Sequence, residues 1–245
     1  MCGRFAQYSC RDEYFEAAGI TPEELPFDAA PLGRYNVAPG TRVMLLNQRE
    51  GQLHFDPVFW GYKPDWWHKA MLINARGETA ASGRMFKPLW QHGRAVVPAN
   101  GWFEWARTDE GKQPYFIYHR SRQPLFFAAI GKAPFGQDHG HEGFVIVTAE
   151  SNQGMVDIHD RRPLVLQPES VREWLSEDTS AERASEIARD NSLPEGDFSW
   201  HKVGQAVGNI HNQGEALTEP RRLSQATVPI TADKKSLNGW CASVT

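Results

Sequence analysis

The chain has 245 residues, 40% hydrophobic and 11% aromatic, enough apolar side chain for a sizeable core and against wholesale disorder. A formal net charge of −4 excludes a generic polyanion binder coated in lysine. A local basic groove stays open, because nucleic-acid binding depends on where the charge sits.

No apolar run approaches the roughly 18 residues of a membrane span. The first residues lack the apolar stretch of a secretory signal. The three cysteines, Cys2, Cys10 and Cys241, show neither CxxC spacing nor even pairing. A cytoplasmic protein without a structural zinc site is expected.

In chain order, Arg11 to Ala18 reads as a short helix. Arg42 to Asn47 and Gln52 to Trp60 read as a strand pair turning at Gly51. Short apolar runs follow at Ala95 to Val97, Trp102 to Trp105, Tyr115 to Tyr118, Leu125 to Ile130, Phe144 to Thr148 and Leu164 to Leu166. Glu169 to Leu175 and Ala181 to Arg189 read as helices, the second with Ser180 as its N-cap. Strands crowd the middle, helices flank them, and no βαβ alternation is present. The pattern predicts an α+β domain around a curled, mostly antiparallel sheet or barrel core flanked by short helices. Beyond Gly214 few core-forming residues remain, and the end of the chain reads as a flexible tail, ordered in part through Trp240.

The chemistry-bearing residues begin at Cys2. Loss of the initiator methionine before so small a residue would leave an α-amine titrating near pH ~8 beside a thiol. Such a 1,2-aminothiol condenses with an aldehyde to an imine and then closes to a thiazolidine. In Gly101-Trp102-Phe103-Glu104-Trp105, strand alternation puts Glu104 on one face with Trp102, and Phe103 and Trp105 on the other. A carboxyl among aromatic rings loses hydration, which raises its pKa and suits it to proton donation. The alternative is an edge-strand Glu facing water.

Asn74 and Arg76, two residues apart in an extended segment, point the same way and can hold a nucleotide, with Arg84 a further phosphate contact. Asp157-Ile158-His159-Asp160-Arg161-Arg162-Pro163 offers an imidazole for proton transfer, or else a salt-bridged turn. Trp66-Trp67 is a candidate platform for an unpaired base, with core packing open for one of the two.

Six motifs then converge: Met1-Cys2-Gly3-Arg4-Phe5, Arg34-Tyr35-Asn36-Val37-Ala38-Pro39, Ile73-Asn74-Ala75-Arg76-Gly77-Glu78-Thr79, Gly101 to Trp105, Phe144 to Thr148, and His159 to Pro163. In this order they resemble the SRAP family, the SOS-response-associated peptidase or abasic-site-processing proteins. The resemblance runs from residue 2 to about residue 218 and leaves 219–245 as the tail. Gly77 stands where other members often carry a larger residue, and Ala99-Asn100 departs from the Asp or Cys often seen nearby.

The resemblance implies catalytic roles for four residues. Cys2 is the thiazolidine-forming nucleophile, freed by self-processing at Met1, and Glu104 is the acid/base. His159 is a second proton-transfer or sugar-stabilising group, and Asn74 orients the amine and the open sugar. It further implies DNA contacts at Arg4, Arg76, Arg84 and Arg161, and a base-splaying wedge at Trp67 and Met85. Asn36, Pro39, Trp105 and Thr148, which stand in the same motifs, complete the DNA-contacting set.

The implied function is the sensing and covalent trapping of abasic sites in single-stranded DNA, with weak β-elimination lyase activity as a side reaction. A monomer needing neither cofactor nor metal is expected. Two other readings stay open. An N-terminal-cysteine glutamine amidotransferase also begins Met-Cys-Gly but continues differently from Arg4-Phe5-Ala6. A non-catalytic single-strand-binding module would use only the tryptophans and arginines.

Overall fold

The apolar runs pair into two sheets in the computed structural model, which describes residues 2–26, 28–132, 143–152 and 154–221. In chain order the strands are β1 (Phe5–Gln7), β2 (Arg34–Val37), β3 (Arg42–Arg49), β4 (Gln52–Phe59), β5 (Asn74–Arg76), β6 (Arg94–Ala99) and β7 (Gly101–Thr108). They continue with β8 (Gly111–His119), β9 (Leu125–Gly131), β10 (Phe144–Glu150), β11 (Arg161–Pro163), β12 (Val165–Leu166) and β13 (Phe198–Lys202). The helices are α1 (Arg11–Ala17), α2 (Gly77–Ala80), α3 (Lys87–His92), α4 (Val171–Leu175) and α5 (Ala181–Asp190).

One sheet runs β13-β8-β7-β1-β2. The other runs β11-β10-β9-β6-β3-β4, with β12 added on β9 and β5 on β10. The pairings between these strands are antiparallel except β5 on β10. The fold is therefore α+β as expected. The expected curled sheet or barrel is slightly overstated: the strand order of each sheet is open, and only the Trp60↔Phe144 bridge joins the end of β4 back to β10 among the described residues.

The layering follows from side-chain alternation. Phe126, Ala128 and Ile130 of β9 pack with Tyr14, Phe15, Trp90, Trp174 and Ile187 from the helices. Leu125, Phe127 and Ala129 face the other way, onto Cys2, Phe5, Trp102, Ile117 and Phe198 of the five-stranded sheet and its approach. Every residue of β9 is buried, which is why its sequence is an unbroken apolar run rather than an alternating one. The outer face of the five-stranded sheet is closed by Val203, Val207 and Leu217 over Ala6, Phe103 and Phe116.

Local signals act as their chemistry requires. Glu50 and Gly51 both take positive φ (52° and 75°), the two-residue turn whose twist matches an antiparallel pair, and the pair stays in register from Arg42↔Phe59 to Arg49↔Gln52. The Ser180 side chain accepts from the Arg183 amide at the start of α5. Arg94, 6% exposed, donates to the carbonyls of Trp90, Gln91, Trp174, Ser176 and Thr179 at 2.6–3.1 Å. Its charge thus sits on the carbonyl-rich ends of α3 and α4, where a cation is favoured.

Among the described residues no helix is long and apolar enough to cross a membrane. Arg221 is still tied to the fold through the Lys202 carbonyl and the Gln113 side chain. The tail reading, with Trp240 and Cys241, lies beyond residue 221, outside the described residues.

A candidate active site at the amino terminus

The site is assembled by β1. This strand pairs with β7 at Phe5↔Trp102 and Ala6↔Gly101, and the Phe103 amide donates to the Arg4 carbonyl at 2.9 Å. The same register, carried back along the chain, brings Gly3 opposite Glu104, with Cys2 next in line. Cys2 is fully buried. Burial, and then the nearby Glu104 carboxylate, raise its thiol pKa far enough to keep it protonated at neutral pH. In the encoded chain the Cys2 nitrogen is an amide, so the 1,2-aminothiol exists only once residue 1 is gone.

Glu104 lies on the inner face of β7 with Trp102, while Phe103 belongs to the outer cluster with Trp105 packed on it. The alternative of an edge glutamate facing water is thereby overturned: Glu104 is 4% exposed. Burial, reinforced by the charge of Asp160, pushes its carboxyl up to about 8.

Asn74 arrives from the parallel strand β5, where it sits beside Ile146 of β10. Its Nδ2 donates to the Cys2 carbonyl at 3.0 Å, and its Oδ1 is buried with no hydrogen-bond partner. His159 follows a short 3-10 turn, Met155–Asp157. Its Nδ1 accepts the Arg161 amide at 3.0 Å and lies 2.9 Å from Asp160 Oδ1. Burial lowers the imidazole pKa, so the ring is neutral near pH 7, and which nitrogen carries its proton depends on which of these two neighbours Nδ1 bonds.

The arginines divide into two kinds. Arg76 and Arg84 are exposed, and Arg84 lies over the ring of Trp66 at 5.9 Å. Trp66, 54% exposed, meets half-buried Trp67 edge to face at 6.1 Å, and Lys69 lies 5.4 Å over Trp67. Met85 is half-buried against the helical core. Cations and aromatics are thus interleaved on one surface.

Arg4 and Arg161 are instead committed within the protein. Arg4 donates to Asn36 Oδ1 (2.8 Å) and the Val207 carbonyl (2.7 Å) and lies 5.8 Å over Trp105. Arg161, 9% exposed, is bidentate on Glu78 at 2.8 and 2.9 Å and donates to the Thr148 carbonyl and hydroxyl. Asn36 and Thr148 are buried, and their polar atoms are taken up by this bonding, so both act on the arginines from within. Pro39 is half-buried between β2 and β3.

A family model, "SOS response associated peptidase (SRAP)", matches residues 1–210. The chain belongs to the SRAP family. It is 58% identical to the abasic site processing protein YedK of Escherichia coli (strain K12) over 221 residues, 90% of this chain and 100% of YedK. With the abasic site processing protein YoqW of Bacillus subtilis (strain 168) it shares 32% identity over 232 residues, 89% of this chain and 99% of the relative. Among solved structures, a phage-related protein of Bordetella bronchiseptica matches with a TM-score of 0.73 at 38% identity, covering 87% of this chain and 100% of that one.

Two features of this SRAP chain have no assignment from the sequence. Glu78 lies within the Ile73–Thr79 segment with no role evident from its neighbours, and its distance from Arg161, 83 residues along the chain, hid the pairing. Gln213 is the second. Its side-chain amide accepts from the Tyr35 and Asn36 amides and donates to the Asn36 carbonyl, capping the outer edge of β2. Among the described residues no cluster of three or more His, Cys, Asp or Glu could hold a metal ion.

Proposed function

We propose that this protein senses abasic sites in single-stranded DNA and traps them covalently through Cys2. Membership of the SRAP family and the abasic-site-processing relatives support the substrate class. The observation that carries the chemistry is Asn74 gripping the Cys2 carbonyl beside a carboxyl raised to about 8.

Hydrolysis of the Met1–Cys2 peptide bond consumes one water and frees the amine. The abasic sugar opens to its aldehyde as Glu104 moves a proton between the C1′ hydroxyl and the ring oxygen. The Cys2 amine adds to C1′, and the resulting carbinolamine loses water, protonated by Glu104, to give an imine. The thiol adds to the imine carbon, its proton passes to nitrogen, and a thiazolidine closes. The balance from free amine to adduct is the loss of one water. Asn74, with one end fixed on the Cys2 carbonyl, has Oδ1 available to accept from the new amine. His159, with its proton on Nε2, donates a hydrogen bond to a sugar oxygen.

If the imine instead loses a C2′ proton, the 3′-phosphate departs, and the strand is cut by β-elimination. Trp66 and Trp67 stack on unpaired bases, and Arg76 and Arg84 meet phosphates, which favours single strands. The protein acts as a monomer wherever such DNA is exposed.

A direct test incubates the protein with single-stranded oligonucleotides that carry an abasic site or an intact base and resolves them on a denaturing gel. A denaturation-resistant adduct with the abasic strand alone is expected. Equal, fully salt-dissociable retention of both strands would select the non-catalytic binding module instead.

A further inference from the structure

Glu78 lies in the first turn of α2 and is 46% exposed at its side chain, yet both its oxygens are spent on one guanidinium. That guanidinium, Arg161, also donates to the carbonyl and hydroxyl of Thr148. The Thr148 hydroxyl donates in turn to the Ala75 carbonyl at 3.3 Å. Four hydrogen bonds from one side chain thus lock the first residue of β11 against β10 and α2. The lock bears on the site through the backbone, since the Arg161 amide is the group that meets His159 Nδ1.

Nδ1 has a rival neighbour. Asp160 Oδ1 stands 2.9 Å away and accepts from Nδ1 only if Nδ1 carries a proton. The Arg161 amide is satisfied only if Nδ1 does not. The two arrangements give opposite tautomers, and only the second makes Nε2 a donor. Whichever neighbour is held more firmly sets the ring. The amide is held by four side-chain hydrogen bonds and by the Glu150↔Arg161 strand pairing, whereas the Asp160 side chain is 79% exposed.

We propose that Glu78 is a positioning residue for His159: by chelating Arg161 it fixes the amide that holds the imidazole in its Nε2–H form. The carboxylate suits this task, because the Arg161 hydrogen bonds keep it ionised below the usual range despite the burial that opposes them. The side chain of Arg161 then serves the ring's orientation rather than a phosphate. The role of the ring in sugar chemistry rests on the proposed function, but its tautomer does not.

The test uses the full-length protein labelled with 15N, with long-range imidazole correlation spectra recorded at mildly alkaline pH. The wild type is expected to show His159 protonated at Nε2 alone. In Glu78→Gln one chelating oxygen becomes an N–H donor facing a donor, and an Nδ1-protonated population is expected to appear. Arg161→Lys, which cannot chelate, should reproduce that spectrum and serves equally if Glu78→Gln fails to fold. Adduct formation with abasic single-stranded DNA should slow about tenfold in Glu78→Gln, the scale of losing an orienting partner.

An unchanged His159 spectrum in both variants, or a wild type already protonated at Nδ1, overturns the proposal. If the wild type makes no adduct but the spectra change as described, the positioning role stands and the abasic-site reading falls.

Discussion

Asn74 holds the backbone of Cys2 and not its thiol: Nδ2 donates to the Cys2 carbonyl at 3.0 Å, and Oδ1 is buried without a partner. An amide placed this way orients whatever the Cys2 nitrogen becomes. Asn74→Ala should therefore reduce the rate of adduct formation by about tenfold to a hundredfold, within the range of a positioned catalytic partner. Its stability cost should stay near one hydrogen bond, about 1 kcal/mol. Single-turnover kinetics beside a urea titration would separate the two, and a rate loss tracking unfolding would remove the assigned role.

Glu104 links the site to pH. Its carboxyl is raised to about 8 by burial, so between the ordinary glutamate range and pH 8 the folded protein keeps a proton that the unfolded chain has released. Stability from this group is full below the unfolded pKa and is lost as pH rises through about 8. The urea midpoint should fall from pH 5 to pH 8.5, and by less in Glu104→Gln. The rate should be bell-shaped, rising as the Cys2 amine deprotonates and falling as Glu104 ionises. A Glu104→Gln profile that retains the alkaline limb would show that another group controls it.

The exposed face should contribute affinity without stability. Trp66→Ala is expected to change folding stability by less than about 0.5 kcal/mol. It should weaken binding of unmodified single-stranded DNA by roughly 1–3 kcal/mol if a base stacks there. Arg76→Ala and Arg84→Ala should each flatten the log-affinity against log-salt slope by about 0.7. Fluorescence anisotropy at several salt concentrations reads both effects, and slopes equal to wild type would place the DNA elsewhere.

Arg94 makes the opposite prediction, because its five carbonyl acceptors lie in the helical layer, away from Cys2. Arg94→Met strips those carbonyls of their donor and should cost about 3 kcal/mol. For a chain of this size the melting temperature should drop by roughly 6–12 °C. Arg94→Lys should recover little, since an ammonium cannot span acceptors from two helices. Adduct formation below the melting transition should match wild type.

How much was legible from residues alone depended on the range of the interaction. Leu125 to Ile130 could be read as a buried strand because its composition carries the signal, and Glu104 could be assigned to the Trp102 face because alternation is local. The three-residue strands β1 and β5 left no periodic trace, yet β1 anchors the segment that carries Cys2 and Arg4, and β5 carries Asn74. Their pairing comes from β7 and β10, far along the chain. The same limit explains Arg161. The residues alone left a salt-bridged turn open there without naming a partner, the resemblance implied a DNA contact, and only the fold brings Glu78 to it. How far the curled sheet closes was overstated, because a strand list says nothing of which edges meet, and here β4 reaches β10 through one bridge rather than a full strand pairing.

The central claim is that Cys2 becomes a terminal aminothiol and bonds with the aldehyde. Intact mass spectrometry of the purified protein, before and after exposure to an abasic single-stranded oligonucleotide, tests it most directly. The predicted spectrum shows a chain lacking Met1, then an adduct equal to that chain plus the oligonucleotide minus one water, unaltered by borohydride and absent from Cys2→Ala. A protein that keeps its methionine, or a Cys2→Ala variant that gives the same adduct, would contradict the account.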